Sequence, residues 1–145
     1  MMFTNITKSI SAPADVVFAT VSDITNFSKA VPHITGVEFL SEHKSGKGAR
    51  FRETREMRGR EHSQILEVTE YVENDRVRMV SDAGGTVWDT LFTVSTDGDV
   101  TRLDVEMDAR PHKLMARLTT PLIRGMVSKA VAQDIDAVKA YCESL

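Results

Sequence analysis

Ile123, Val127, Val131, Ile135, Val138, Cys142 and Leu145 are separated by 4, 4, 4, 3, 4 and 3 residues. Apolar residues at that spacing share one side of a 3.6-residue helix, so the chain ends in a long helix with a stripe that another surface must cover. A second row, Leu118, Leu122, Met126 and Ala130, widens the stripe over its first half. Pro121 predicts the start of this helix or a kink in it, and Pro111 to Thr120 a separate turn or short helix ahead of it.

The covering surface comes from the middle of the chain, where the period is two. Gly36 to Glu42, Ala49 to Met57, His62 to Tyr71, Arg76 to Ser81, Thr86 to Val94 and Thr101 to Met107 read as six strands. They are joined by "HKSGKG", "VENDR", "DAGG" and "TDGD", with Gly59 at a tight turn between the second and third. Short connections make consecutive strands antiparallel neighbours. Phe3 to Ile10 adds a strand at the start, with Phe3, Asn5, Thr7 and Ser9 on one side and Thr4, Ile6, Lys8 and Ile10 on the other. Seven antiparallel strands need cover on one face, and only the C-terminal helix is long enough to give it. The expected fold is α+β, a single domain over 1–145 in which a seven-stranded curved sheet wraps the helix and pairs its first strand with its last.

Between the first two strands, "SAPADVVFATVSDITNFSKAVPHI" breaks what could have been one helix. Pro13 suits a first helical position, Asp15 places charge in the first turn, Asp23 can cap a second helix, and Pro32 stops it. Two short helices can bridge strands and plug one end of a curled sheet where a single long helix would overshoot.

Composition narrows the function classes. Eighteen basic and twenty-one acidic residues give a net charge of -3. No overall electrostatic footprint for nucleic acid follows. In "RFRETREMRGR" the arginines alternate with Glu53 and Glu56, Glu61 follows, and only Phe51 could stack on a base, so the run reads as a solvated strand. One cysteine excludes an internal disulfide, and no signal-peptide pattern or ~20-residue apolar run is seen, which points to a cytoplasmic protein without stable membrane insertion. His33, His43 and His112 lie in connections without an i, i+4 partner, so neither a metal nor another cofactor is expected. Cys142 sits on the helix stripe as an inert core thiol.

The element order, "ITKSISAPADVVFATVSDITNFSKAVPHI", "VTEY" before a hairpin, Trp88 after "AGG" and the closing "PLIRGMVSKAVAQDIDAVKAYCE" resemble the START/Bet v-type (SRPBCC) superfamily with its helix-grip fold. Nearly the whole chain takes part, and it looks most like the bacterial polyketide cyclase/dehydrase and lipid-transport group. The resemblance implies an apolar ligand held between sheet and long helix. The superfamily also contains cyclases, hydroxylase domains, quinone-binding proteins and chaperone co-factors, and no catalytic signature selects among them.

Strand parity names the lining of such a cavity, because successive side chains point to opposite faces. Trp88, Thr90, Phe92 and Val94 are assigned inward, with Leu103, Val105 and Met107, and Val77 and Met79. Leu66 and Val68 bring His62 and Gln64 with them. Phe51 and Met57 force Glu53 and Arg55 inward and turn Arg50, Arg52, Arg58 and Arg60 outward. A buried carboxylate and guanidinium two residues apart would pair, whereas at a solvated strand end both would reach water. The expected ligand-binding residues are Phe51, Leu66, Trp88, Thr90, Phe92, Leu103, Val105 and Met107, with Met115, Leu118, Leu122 and Met126 near the mouth. The leading function is binding or transport of a small apolar or aromatic ligand such as a lipid, polyketide or quinone. The alternatives are a cyclase or dehydratase using Glu53, Arg55 and His62 as acid-base candidates, and a protein-binding co-factor, which would need an exposed apolar patch.

Overall fold

The computed structural model describes residues 2–145. Seven antiparallel strands, β1 (Met2–Ile10), β2 (Ile34–Phe39), β3 (Arg50–Met57), β4 (Arg60–Val72), β5 (Arg76–Ala83), β6 (Thr86–Asp97) and β7 (Val100–Pro111), form one sheet. Its order is β1-β7-β6-β5-β4-β3-β2, so the first strand does pair with the last. Between β1 and β2 lie the short helices α1 (Ala14–Ser22) and α2 (Ile24–Ala30). Because β1 and β2 are the two edges of the sheet, these helices carry the chain from one edge to the other. Pro13 stands one residue earlier than expected, as the N-cap of α1, and the Asp23 carboxylate accepts from Thr25 N at 2.8 Å to cap α2.

After β7 come α3 (Leu114–Thr119), a 3₁₀ turn over Thr120–Ile123 that contains Pro121, and the long helix α4 (Arg124–Ser144). Ile135, Val138 and Cys142 of α4 belong to one buried cluster with Val17, Phe18 and Val21 of α1 and Val77, Phe92, Leu103 and Val105 of the sheet. Leu145, the last residue of the expected stripe, lies beyond the helix and is exposed. Edge-on ring contacts tie the short helices to the sheet, Phe18 to Tyr71 and Phe27 to Phe92.

The turn between β3 and β4 uses Arg58 and Gly59, both at positive φ (54° and 76°), which gives a two-residue connection matched to strand twist. Two bulges alter the parity. An extra residue between Met2 and Thr4 lets Phe3 join Thr4 on the buried side, and another between Val68 and Glu70 turns Tyr71 inward after Val68. On the outer face, Arg78 and Arg110 both reach Asp89, Arg76 reaches Glu70, and Arg50 and Arg52 reach Glu67 and Glu38. The arginines of the "RFRETREMRGR" run that point outward on β3 are therefore paired with carboxylates of neighbouring strands.

Candidate functional site

Between the sheet and α4 lies an inner cavity of about 100 Å³, walled by apolar side chains of α1, α2, β4–β7 and α4. It shares Arg55, Gln64, Leu66, Thr90, Met107, Val131 and Asp134 with an outer cleft of about 670 Å³ that opens between the β3–β4 hairpin and the first half of α4. Trp88 is on the wall of the outer cleft, held by its indole N–H donating to Ala83 O at 3.3 Å and by edge-on contact with Phe3. A second hollow of about 600 Å³ lies on the other side of Arg55 and Asp134, lined by Pro32, His33 and Met126 among others.

Where the hollows meet there is a three-membered charge cluster. Arg55 Nε donates to Glu53 Oε1 at 2.9 Å, and Arg55 Nη1 donates to both oxygens of Asp134 at 3.0 and 3.3 Å. The side chains of Glu53, Arg55 and Asp134 are only 6%, 18% and 15% exposed, so the cluster is largely shielded from bulk water. Arg55 Nη2 has no hydrogen-bond partner among the described residues. The Arg55 guanidinium loses solvation, which pulls its pKa down, but Glu53 and Asp134 more than compensate and hold it above the ordinary value. For Asp134 the balance is reversed. Burial pushes its carboxyl above the ordinary aspartate value, and the Arg55 charge and hydrogen bond, with a smaller pull from His33, undo only part of that.

A carboxyl whose pKa is higher folded than unfolded binds its proton more readily in the folded state, so its contribution is complete below the unfolded value and lost as pH rises through the folded value. Wild type should therefore gain stability relative to Asp134→Asn as pH falls from about 7 to about 4. Urea unfolding of both proteins in a His33→Gln background checks this, since the pull of His33 on Asp134 is then removed. A stability difference flat with pH would show Asp134 to be unperturbed.

The inward parity expected for Glu53 and Arg55 corresponds to the geometry, and the pair is buried rather than solvated. Leu66, Thr90, Phe92, Val105 and Met107 line the inner cavity, and Trp88 and Met126 the outer cleft. Three sets of the expected residues lie away from the walls of the hollows or apart from the charge cluster. Phe51 and Leu103 point inward but are packed into the core, 2% and 0% exposed, and line none of these hollows. His62 is exposed on the cleft rim and stands opposite Arg55 in the ladder, whereas Gln64 is the residue opposite Glu53, so no Glu53–His62 couple forms. Met115, Leu118 and Leu122 line none of the hollows and are 69%, 63% and 83% exposed. The side of this segment that meets the sheet is set by Ala116 and Thr120, both buried, with the Thr120 hydroxyl 2.9 Å from that of Thr86. Leu118, two residues from each, is turned to the opposite side of a 3.6-residue helix.

Asp134 is the member of the cluster that apolar periodicity passes over. It lies three residues after Val131 and four before Val138, which places it on the buried face, and that spacing was the available signal. Cys142 is buried, and burial raises its thiol pKa, as an unreactive core position requires.

A curved sheet gripping a long helix over an apolar hollow defines a helix-grip protein of the START/Bet v-type superfamily. The family model for "Polyketide cyclase / dehydrase and lipid transport" matches residues 4–143, and the chain belongs to that family. No curated protein sequence matches. Among solved structures, a START superfamily protein from Mycobacterium smegmatis is similar at 18% identity, covering 97% of each chain with a TM-score of 0.79. Ginseng major latex-like protein 151 from Panax ginseng is similar at 15% identity over 94% of this chain and 95% of that one, TM-score 0.68. The di-domain ARO/CYC StfQ from the steffimycin biosynthetic pathway matches at 10% identity over 97% of this chain, TM-score 0.79, and this chain spans half of its length. At these identities the likeness establishes the fold alone.

Proposed function

We propose that the protein binds a small ligand with an apolar or aromatic body and a neutral polar end, of the lipid, polyketide or quinone kind. The observation that carries this reading is the pairing of an apolar hollow with one buried polar end, the Glu53–Arg55–Asp134 cluster. Pockets that hold small molecules are mostly apolar, with a few placed polar groups that orient the ligand. Two carboxylates already surround the one guanidinium, so a ligand carboxylate would add negative charge where hydroxyl or carbonyl groups would be accommodated. Ser81 supports the same reading. Its hydroxyl is buried on the cleft wall, opposite Trp88 in the ladder, and has no partner among the described residues.

Trp88 is the only tryptophan and reports on the cleft. Titration with long-chain alcohols and flat phenols should change its emission saturably, with the matching fatty acids binding more weakly. Native mass spectrometry of the purified protein should show a co-purified small molecule. Trp88→Ala should weaken binding and leave the protein folded. A wide panel of apolar compounds that leaves the emission untouched would sink the reading.

A cyclase or dehydratase activity is the second reading, supported by the place of the Asp134 carboxyl on the wall of the inner cavity, where burial raises its affinity for a proton. In that case Asp134→Asn lowers the rate on a polyketide-type substrate by ~10²–10⁴, the usual weight of one general acid or base. His62, exposed at the rim, should matter little.

A further inference from the structure

Leu114, Leu118, Leu122 and Met126 recur every four residues from α3 through the 3₁₀ turn into α4, and with Met115 they are 73%, 63%, 83%, 50% and 69% exposed. The same segment is strongly basic. From Ala109 to Gln133 there are five basic residues and no acidic one, while the rest of the chain has thirteen basic against twenty-one acidic. The carboxylates that face it from neighbouring strands, Asp82, Asp89 and Asp108, are taken up by His112 and Arg110. Arg124 lies over the Phe3 ring and donates to Met2 O. Lys113, Arg117 and Lys129 form no ion pair among the described residues.

We propose that this face docks the protein on an anionic lipid surface, with its aliphatic side chains entering the headgroup region and the flanking cations meeting lipid phosphates and carboxylates. Long aliphatic side chains bordered by lysine and arginine are the pattern of a helix lying in a bilayer interface. A second copy of the chain fits worse, because a two-fold contact would set these cations against themselves. A protein partner fits worse too, since the face lacks the aromatic anchors that dominate such interfaces. Met126 lies on both the docking face and the cleft wall, so docking would bring the mouth of the cleft to the membrane. Exchange of an apolar ligand with lipid is a consequence that rests on the ligand-binding reading; the docking itself does not.

The test is flotation of the full chain with vesicles of phosphatidylcholine alone and with about a third phosphatidylserine. Binding is expected only to the anionic vesicles and should fall sharply in high salt. Leu118→Asp/Leu122→Asp, two exposed positions, should keep the melting temperature and weaken partitioning by at least about tenfold per leucine, the weight of burying that side chain. If that variant misfolds, Lys113→Glu/Arg117→Glu gives the second readout, with the same loss expected. No flotation at low salt, equal flotation of the variants, or a dimer that Leu122→Asp dissolves without any vesicle binding would overturn the proposal. Trp88 titrations of the same variants in lipid-free solution should be unchanged, so failure of docking and failure of ligand binding are distinguished.

Discussion

A chain that stops at Leu122 should show no cooperative unfolding transition. Removing 123–145 takes away α4, and with it Ile135, Val138 and Cys142, each 3% exposed or less in the folded protein. Their loss forfeits about 1.5–3 kcal/mol for each large side chain and exposes the inner faces of β5, β6 and β7, while domains of this size are stable by only about 5–15 kcal/mol. The anchors at the far end go too, including the Glu143 carboxylate on Ser11 N and the Lys8–Asp136 pair to β1. Arg55 loses Asp134 and becomes a half-paired ion on an open sheet. Circular dichroism and urea unfolding of the truncated chain provide the check. A sharp two-state melt would mean that the sheet folds without the helix it wraps, and the account of the core would be wrong.

The legibility of this architecture in the sequence follows from how each element is stabilised. Strands with one face in the core alternate visibly, so the inward sets of β3, β5, β6 and β7 could be read by parity. Strand ends could not. Residues such as Ser95 to Asp97 extend the β6–β7 hairpin through ladder hydrogen bonds while staying exposed, and the pattern of apolar residues is blind to that. Nor does it register the bulge at Phe3, where one extra residue flips the face in mid-strand. The first half of the C-terminal segment misled for a related reason. Leu118 and Leu122 have helical spacing, but spacing says only that they share a side; which side meets the sheet is decided by small buried Ala116 and Thr120, which carry little hydrophobic signal. In the site, the inward placement of Glu53 and Arg55 was forced by Phe51 and Met57, whereas their third partner required knowing which turn of α4 lies over β3.

The buried charge cluster gives the second large effect. Arg55→Met removes the one cation between Glu53 and Asp134 and leaves two carboxylates with little access to water. Breaking a buried ion pair from one side typically destabilises by about 3–5 kcal/mol, because the remaining charge is uncompensated. At roughly 2–4 °C per kcal/mol for a protein of this length, the melting temperature should fall by about 10 °C. Part of the loss should be recovered at low pH, where the Asp134 carboxyl, whose pKa burial raises, can take up a proton and no longer oppose burial. Replacing all three groups, Glu53→Met/Arg55→Leu/Asp134→Leu, should behave differently, since apolar residues of similar size in place of a whole buried ionic cluster are often neutral or stabilising. If the triple variant melts at or above wild type yet no longer distinguishes alcohols from alkanes in the Trp88 titration, the cluster is maintained for recognition rather than stability. A triple variant as unstable as Arg55→Met would instead make the cluster part of what holds α4 on the sheet, and its place at the end of the hollow would be incidental to the ligand.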